Sequence, residues 1–135
     1  MIDEAAGWTL QAFGRFADFD GRSHRRELLS FYGVNAVVVG LLVGASSVLG
    51  ATLDLSFIAA GAVASVYLAV AFVPALSLVA RRLHDVGRSS LWVLLGAVPV
   101  VGLVLVVWLL APGEPGPNRW GRSPATRPRG DYDRV

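Results

Sequence analysis

The chain has 135 residues, the size of one domain; 54% of them are hydrophobic and 16% are charged. This composition excludes an ordinary soluble domain, because a small soluble domain needs polar surface to cover its core. All twelve basic residues are arginine, the net charge is +2, and there is no cysteine, which excludes disulfides and thiolate chemistry. The arginines flank apolar runs and form no coherent basic face, so the sequence does not favour nucleic-acid binding.

The leader before the first apolar run is too long and too acidic for a cleavable signal peptide. It contains five large apolar residues, spaced between polar ones around Arg15 and Asp18: Trp8, Leu10, Phe13, Phe16 and Phe19. That spacing predicts a short amphipathic helix lying in the membrane interface.

Three long uncharged runs follow, at 28–50, 57–80 and 91–111. A spanning helix needs about 20 apolar residues to cross roughly 30 Å of hydrocarbon, and each run meets that length. Backbone groups in lipid must pair within the segment, so helices are expected despite the many valines. The predicted fold is therefore an all-α integral membrane protein with three hydrophobic helical segments and an N-terminal interfacial helix. It forms one helical domain over 1–121, and 122–135 is predicted to be a disordered tail rich in arginine and proline.

Small residues recur at helical spacing in the first two runs. The pair Gly40 and Gly44 forms a GxxxG motif, and Gly61 and Ser65 are four residues apart in the second run. Small residues let helix backbones approach closely in lipid. We predict that they pack the helices of one chain together, with homo-dimerisation as the alternative.

The distribution of arginines predicts the orientation of the chain in the membrane less clearly than hydropathy predicts the apolar segments. The leader holds four and the second loop three, against none in the first loop and five in the tail. The positive-inside rule makes the leader and second loop cytoplasmic. Three crossings would then place the arginine-rich tail outside. The alternative is that the third segment, interrupted by Pro99 and Gly102, re-enters without crossing; we predict three crossings.

Polar residues concentrate in three motifs, at 19–27, 81–92 and 115–121. Guanidinium groups suit phosphate or carboxylate, so one interpretation is an anion site. The other is anchoring to anionic headgroups, worth about 1 kcal/mol per basic residue. The residues predicted to contact an anion, lipid or partner are Arg22, Arg25, Glu27, Arg81, Arg82, His84, Asp85, Arg88, Asn118 and Arg119.

Catalytic and metal-binding interpretations have little support. One histidine beside one aspartate, His84 and Asp85, makes no closed metal site, and adjacent residues on a helix face different ways. Ser89 and Ser90 lack a nucleophile elbow or an oxyanion-hole signature. The sequence predicts no metal and no cofactor; we expect Asp85 to pair with an arginine.

Taken together, the motifs resemble the YhaH-like family, small bacterial inner-membrane proteins classed as a domain of unknown function. Its pattern runs F-x-G-R-x-x-R-x-E, then R-R-L-H-D-x-G-R-S-x-x-W, then N-R-[YF]-G. Here these are Phe19 to Glu27, Arg81 to Trp92 and Asn118 to Gly121, with Trp120 departing from the usual tyrosine or phenylalanine. The resemblance implies a helical protein of the bacterial inner membrane and no established activity.

The function predicted is a non-enzymatic membrane module that binds anionic phospholipid or a protein partner through its interfacial arginines. The alternative is an oligomeric channel or transporter, suggested by Asn35 and the proline breaks, although no charged residue lies within a span. A third hypothesis is that the protein is an enzyme acting on lipid headgroups.

Overall fold

A computed structural model of the chain describes residues 2–53, 57–96 and 98–124. Within these ranges the chain is helical, with no β-strand beyond an isolated bridge between Asn118 and Gly121. The helices are α1 Ile2–Gly14, α2 Arg25–Leu53, α3 Phe57–Asp85, α4 Trp92–Leu95 and α5 Pro99–Leu110. The predicted all-helical architecture is confirmed. Most of the tail predicted to be disordered lies outside the described residues.

Helices α2 and α3 form an antiparallel pair. Each has 29 residues, a length of roughly 44 Å at about 1.5 Å per residue. Both are long and apolar enough to cross a membrane. Their outward side chains are apolar, since Leu41 is 68% exposed and Val66 is 65% exposed. This surface suits lipid, in which apolar side chains need no burial.

A hydrogen-bonded pair joins the two long helices within their apolar stretches. The Tyr67 hydroxyl donates to Oδ1 of Asn35 at 2.7 Å, and Nδ2 of Asn35 donates to the Phe31 carbonyl at 2.7 Å. Asn35 therefore faces a neighbouring helix and has partners for both ends of its amide, as a polar group in hydrocarbon requires.

The small residues for which the sequence predicted helix packing lie on α2 and α3. Cβ atoms built on Gly40, Gly44 and Gly61 would meet nothing within 4 Å, and the Ser65 hydroxyl bonds its own helix at the Gly61 carbonyl. In the described part of the chain these positions make no close contact with a neighbouring helix, and helix packing through them stays a prediction. Gly40 lies roughly 140° around α2 from Asn35, which faces α3, because a helix turns about 100° per residue.

The third apolar segment is two short helices that fold back on each other. Pro99 begins α5 after a break that follows Gly96. The rings of Trp92 and Trp108 lie 4.9 Å apart at 89°, and a Cβ on Gly96 would come within 2.9 Å of the Leu105 side chain. The tryptophan contact pairs the start of α4 with the end of α5, and the residue after α4 lies against the middle of α5.

Both ends of this segment lie at the C-terminal end of α3. The chain leaves α3 at Asp85 to enter α4, and α5 returns to within hydrogen-bond distance, since Nε of Arg82 donates to the Leu109 carbonyl at 2.9 Å. Helix α5 has 12 residues, roughly 18 Å at about 1.5 Å per residue, which is shorter than a bilayer core of about 30 Å. The predicted third crossing is not confirmed.

Helix α1 packs at this same end of the long pair. Ala12 is fully buried, and the ring of Phe13 lies 5.6 Å from that of Phe31 on α2. The Ser77 hydroxyl of α3 bonds the Arg15 carbonyl just after α1 at 3.4 Å. Helix α1 ends at Gly14, before Phe16 and Phe19 of the spacing that predicted an amphipathic helix, so the interfacial helix stays a prediction.

Candidate functional site

The three polar motifs converge around the end of α3. The backbone N–H of Ser23 donates to the Arg81 carbonyl at 3.2 Å, and Nδ1 of His84 lies 3.1 Å from the Gly21 carbonyl. From the tail, Nδ2 of Asn118 donates to the His84 carbonyl at 2.9 Å. We call this assembly the polar cap; its central side chains are Arg22, Glu27, Arg81, Arg82, His84, Asp85 and Asn118.

Asp85 lies at the centre of the polar cap and is 3% exposed. Its Oδ1 accepts from Nε of Arg22 at 2.9 Å, and its Oδ2 accepts from a terminal nitrogen of Arg82. Its backbone carbonyl accepts from the Glu114 N–H at 2.9 Å and from Arg22 at 3.3 Å. The expected pairing of Asp85 with an arginine is confirmed, and one residue links leader, helix and tail.

The terminal N–H groups of Arg22 also donate to backbone carbonyls of the tail. Its terminal nitrogens donate to Gly116 at 2.6 Å, to Glu114 at 2.5 Å and to Gly121 at 3.4 Å. The five N–H groups of a guanidinium form a planar fork that can hold several acceptors at once. Because Arg22 is 4% exposed, its donors face protein acceptors and not an external anion.

Arg82 holds the end of α5 in the same way. Besides Leu109, it donates to the carbonyl of Ala111 and, at 3.4 Å, to that of Ser23. The last carbonyls of a helix have no partner within the helix, so Arg82 supplies donors that α5 lacks. Arg82 is 1% exposed. Its role in the described structure is to fasten the returning segment to α3.

Arg81 is also buried but lacks such partners. It is 0% exposed and lies 3.6 Å from Oε1 of Glu27, while the Ser23 hydroxyl donates to the other Glu27 oxygen at 2.7 Å. Within the described chain, none of the three Arg81 guanidinium nitrogens makes a hydrogen bond. A buried ion pair without hydrogen bonds offsets little of its desolvation cost.

Aromatic rings cover the outer part of the polar cap. The His84 ring stacks on Trp120 at 4.6 Å and 11°, and the Arg119 guanidinium lies 3.9 Å from the same Trp120 ring. Arg88 similarly lies 4.5 Å from the ring of Trp108 on α5. Trp120 stands where the family pattern has tyrosine or phenylalanine, and it therefore still places an aromatic ring against His84.

A cavity of about 230 Å³ lies beside the polar cap. Its walls come from the start of α2, the end of α3 and the tail: His24, Arg25, Arg82, Asp85, Pro112, Gly113, Pro115 and Ser123. Arg25 is exposed, as are Arg26, Arg88, Arg119 and Arg122. Among the described residues no three histidine or acidic side chains cluster to hold a metal ion.

Comparison with known proteins identifies the family. Residues 16–122 match the family described as "Protein of unknown function (DUF805)". The chain belongs to this family. It is 37% identical over 118 residues to the "Inner membrane protein YhaI" of Escherichia coli (strain K12), covering 87% of this chain and 94% of that protein. It is 33% identical over 128 residues to "Inner membrane protein YhaH" of the same strain, covering 90% and 98%. No solved structure matches the chain significantly.

In this DUF805 protein the backbone conformation explains why the motifs contain glycines. Gly21, Gly87 and Gly121 have φ of 83°, 73° and 119°, a region that side-chain-bearing residues rarely adopt. Gly113, outside the motifs, was missed by the sequence analysis: a Cβ there would collide with the Asp85 carboxylate. The tail carbonyls were missed as well, because backbone acceptors have no sequence signature.

Proposed function

We propose that the protein is a non-enzymatic module of the bacterial inner membrane that crosses the bilayer twice and binds anionic phospholipid through one arginine-rich face. The observation that carries this proposal is the position of the arginines. Every arginine in the described ranges lies at the end of the molecule where α2 begins and α3 ends. The third apolar segment enters the membrane from that face and returns to it.

If α5 returns to the side from which α4 starts, the distribution of arginines between the two sides of the membrane changes. With three crossings the arginines divide between the two sides. With two crossings all twelve lie on one side, and the connection between α2 and α3 has none. The positive-inside rule then assigns leader, second loop and tail to the cytoplasm. A helical hairpin tilted into one leaflet accounts for the short α5.

Five exposed arginines supply the contact with headgroups: Arg25, Arg26, Arg88, Arg119 and Arg122. Each is expected to contribute about 1 kcal/mol near an anionic surface. Leu10 and Phe16, 71% and 54% exposed, add apolar contacts from α1 and the turn after it. In this proposal the buried arginines, Arg22, Arg81 and Arg82, stabilise the fold and do not contact lipid. The proposed lipid contacts are therefore fewer than the contact residues that the sequence predicted.

No observation favours the other two functions. A channel would need a polar path, yet the amide of Asn35 is already bonded within the helix pair. A catalytic role for His84 and Asp85 would need free groups, yet the aspartate oxygens accept from two arginines and the imidazole is covered by Trp120.

The topology is tested with single cysteines, since the chain has none of its own. Asp20→Cys and Gly116→Cys report on leader and tail, and Ala51→Cys reports on the opposite end of α2. A membrane-impermeant maleimide should label Ala51→Cys in intact spheroplasts, and the other two only after permeabilisation. Labelling that puts Asp20→Cys and Gly116→Cys in opposite compartments would exclude two crossings.

Lipid binding is tested by measuring the phospholipids that co-purify in mild detergent. We expect phosphatidylglycerol and cardiolipin to be enriched over phosphatidylethanolamine, and the enrichment to fall several-fold when Arg26, Arg88 and Arg122 all become glutamine. The same three positions changed to lysine keep the charge and serve as the control. Enrichment that survives the glutamine variant would refute the proposal.

A further inference from the structure

The cavity beside the polar cap is lined by charged side chains of two helices and by residues of the tail. It takes one charged residue from α2, Arg25, and the pair Arg82 and Asp85 from α3, with proline and glycine of the tail closing the other side. Its volume of about 230 Å³ compares with about 30 Å³ per water in the liquid. It therefore has room for a tetrahedral anion with a few waters.

The charges around this cavity favour an anion. The Asp85 carboxylate lines it, but both oxygens accept from arginines, Arg22 at 2.9 Å and Arg82 on the other side. Two guanidiniums against one carboxylate leave a positive balance before Arg25 is counted. Within the described structure the Arg25 guanidinium forms no ion pair and no hydrogen bond with the protein, so its donors are available.

His24 adds a neutral donor. Its Nδ1 accepts the backbone N–H of Arg26 at 3.1 Å, so in the neutral ring the proton sits on Nε2. Burial, and then the nearby charges of Arg82 and Arg26, hold the pKa of His24 below its usual value. Asp85 acts in the opposite direction on this pKa, while the helix dipole at the start of α2 favours negative charge there.

We propose that this cavity binds one phosphate group, carried by an anionic phospholipid headgroup or free in the cytoplasm, through Arg25 and His24. The proposal rests on the proposed function, since it gives the arginine-rich face one defined ligand site. The polar cap builds the site: Arg82 holds the Ala111 carbonyl, and Arg22 holds the carbonyls of Glu114 and Gly116, which position the tail wall.

The experiment uses the full chain in detergent, with inorganic phosphate and glycerol phosphate as probes in titration calorimetry. Nanodiscs with and without phosphatidylglycerol form the lipid arm. Arg25→Gln should weaken binding of the probes about tenfold or more, as expected for loss of a charged hydrogen bond. Arg15→Gln is the control, because Arg15 pairs with Asp18, does not line the cavity and is not one of the arginines assigned to headgroups; it should change affinity less than twofold.

The arms separate the two phosphate sources. Tighter binding of glycerol phosphate, together with loss of phosphatidylglycerol preference in nanodiscs for Arg25→Gln, assigns the site to a headgroup. Binding of inorganic phosphate with no lipid preference assigns it to free phosphate. Equal affinity in wild type and Arg25→Gln, or no binding of either probe, overturns the site. In that case enrichment that still depends on Arg26, Arg88 and Arg122 leaves the proposed function standing. Thermal unfolding of each variant checks the fold.

Discussion

Replacing Asp85 with asparagine is the most direct test of the polar cap. Asparagine keeps the shape of the side chain, but it removes the negative charge and replaces one acceptor oxygen with a donor amide. That amide must face either Arg22 or Arg82, both of which now donate to the carboxylate. The variant therefore leaves two buried guanidiniums without a counter-charge.

The expected cost can be worked out from the contacts that remain. Removing one partner of a buried ion pair costs about 3–5 kcal/mol. Arg22 and Arg82 would keep bonds to backbone carbonyls such as those of Gly116 and Leu109, whose partial charges compensate in part. We therefore expect a loss at the low end of that range, about 3 kcal/mol.

The measurement is unfolding in detergent micelles, followed by circular dichroism, with Asp18→Asn as the matched control. Asp18 pairs with Arg15 at 2.5 Å, but the two side chains are 38% and 25% exposed. Such a surface pair is worth about 0–1 kcal/mol. If Asp85→Asn destabilises the protein no more than Asp18→Asn does, the polar cap does not hold leader, helix and tail together.

Three further changes test neighbouring contacts. Gly113→Ala should destabilise the protein by about 1–3 kcal/mol, because the new methyl displaces the Asp85 carboxylate; unchanged thermal unfolding would contradict that contact. Glu27→Gln should destabilise, whereas Glu27→Leu combined with Arg81→Met should be neutral or stabilising, since no hydrogen bond joins the two side chains; the opposite order in urea unfolding would refute this. The lowered pKa of His24 predicts that stability falls as pH drops below its unfolded value of 6.5. His24→Asn, which can still cap α2, should reduce that dependence, and an identical pH profile for both proteins would count against it.

Hydropathy predicted α2 and α3 because spanning helices depend on local length and composition. The same criterion failed to show how 91–111 folds, since a run of this length can be one helix or two. The sequence marked Pro99 only as an interruption of the third segment, whereas in the structure it begins α5, the position where its missing N–H costs nothing. Gly96 gave no separate signal, although it permits the close approach of Leu105.

For the candidate site, the sequence grouped the polar residues into three motifs but gave no indication of their partners. Arg22, Arg81 and Arg82 look alike in the sequence, next to membrane segments. The structure separates them from exposed arginines such as Arg25 by burial, and only the folded tail brings carbonyls to Arg22 and Arg82. The small residues show the same limit of the sequence. Their spacing places Gly40 and Gly44 on one face of α2, but it does not say whether that face meets α3.

The contacts of Arg22 also impose an order on biosynthesis. Its partners, Asp85 and the carbonyls of Glu114 and Gly116, are separated from it by more than sixty residues of chain. In the proposed topology, the leader therefore carries unpaired positive charge during synthesis while α2 enters the membrane, when such charge directs insertion. Once the tail emerges, the same guanidinium is buried and becomes a structural fastener. In the proposed topology, one arginine therefore directs insertion first and joins the polar cap only after the last segment has been made.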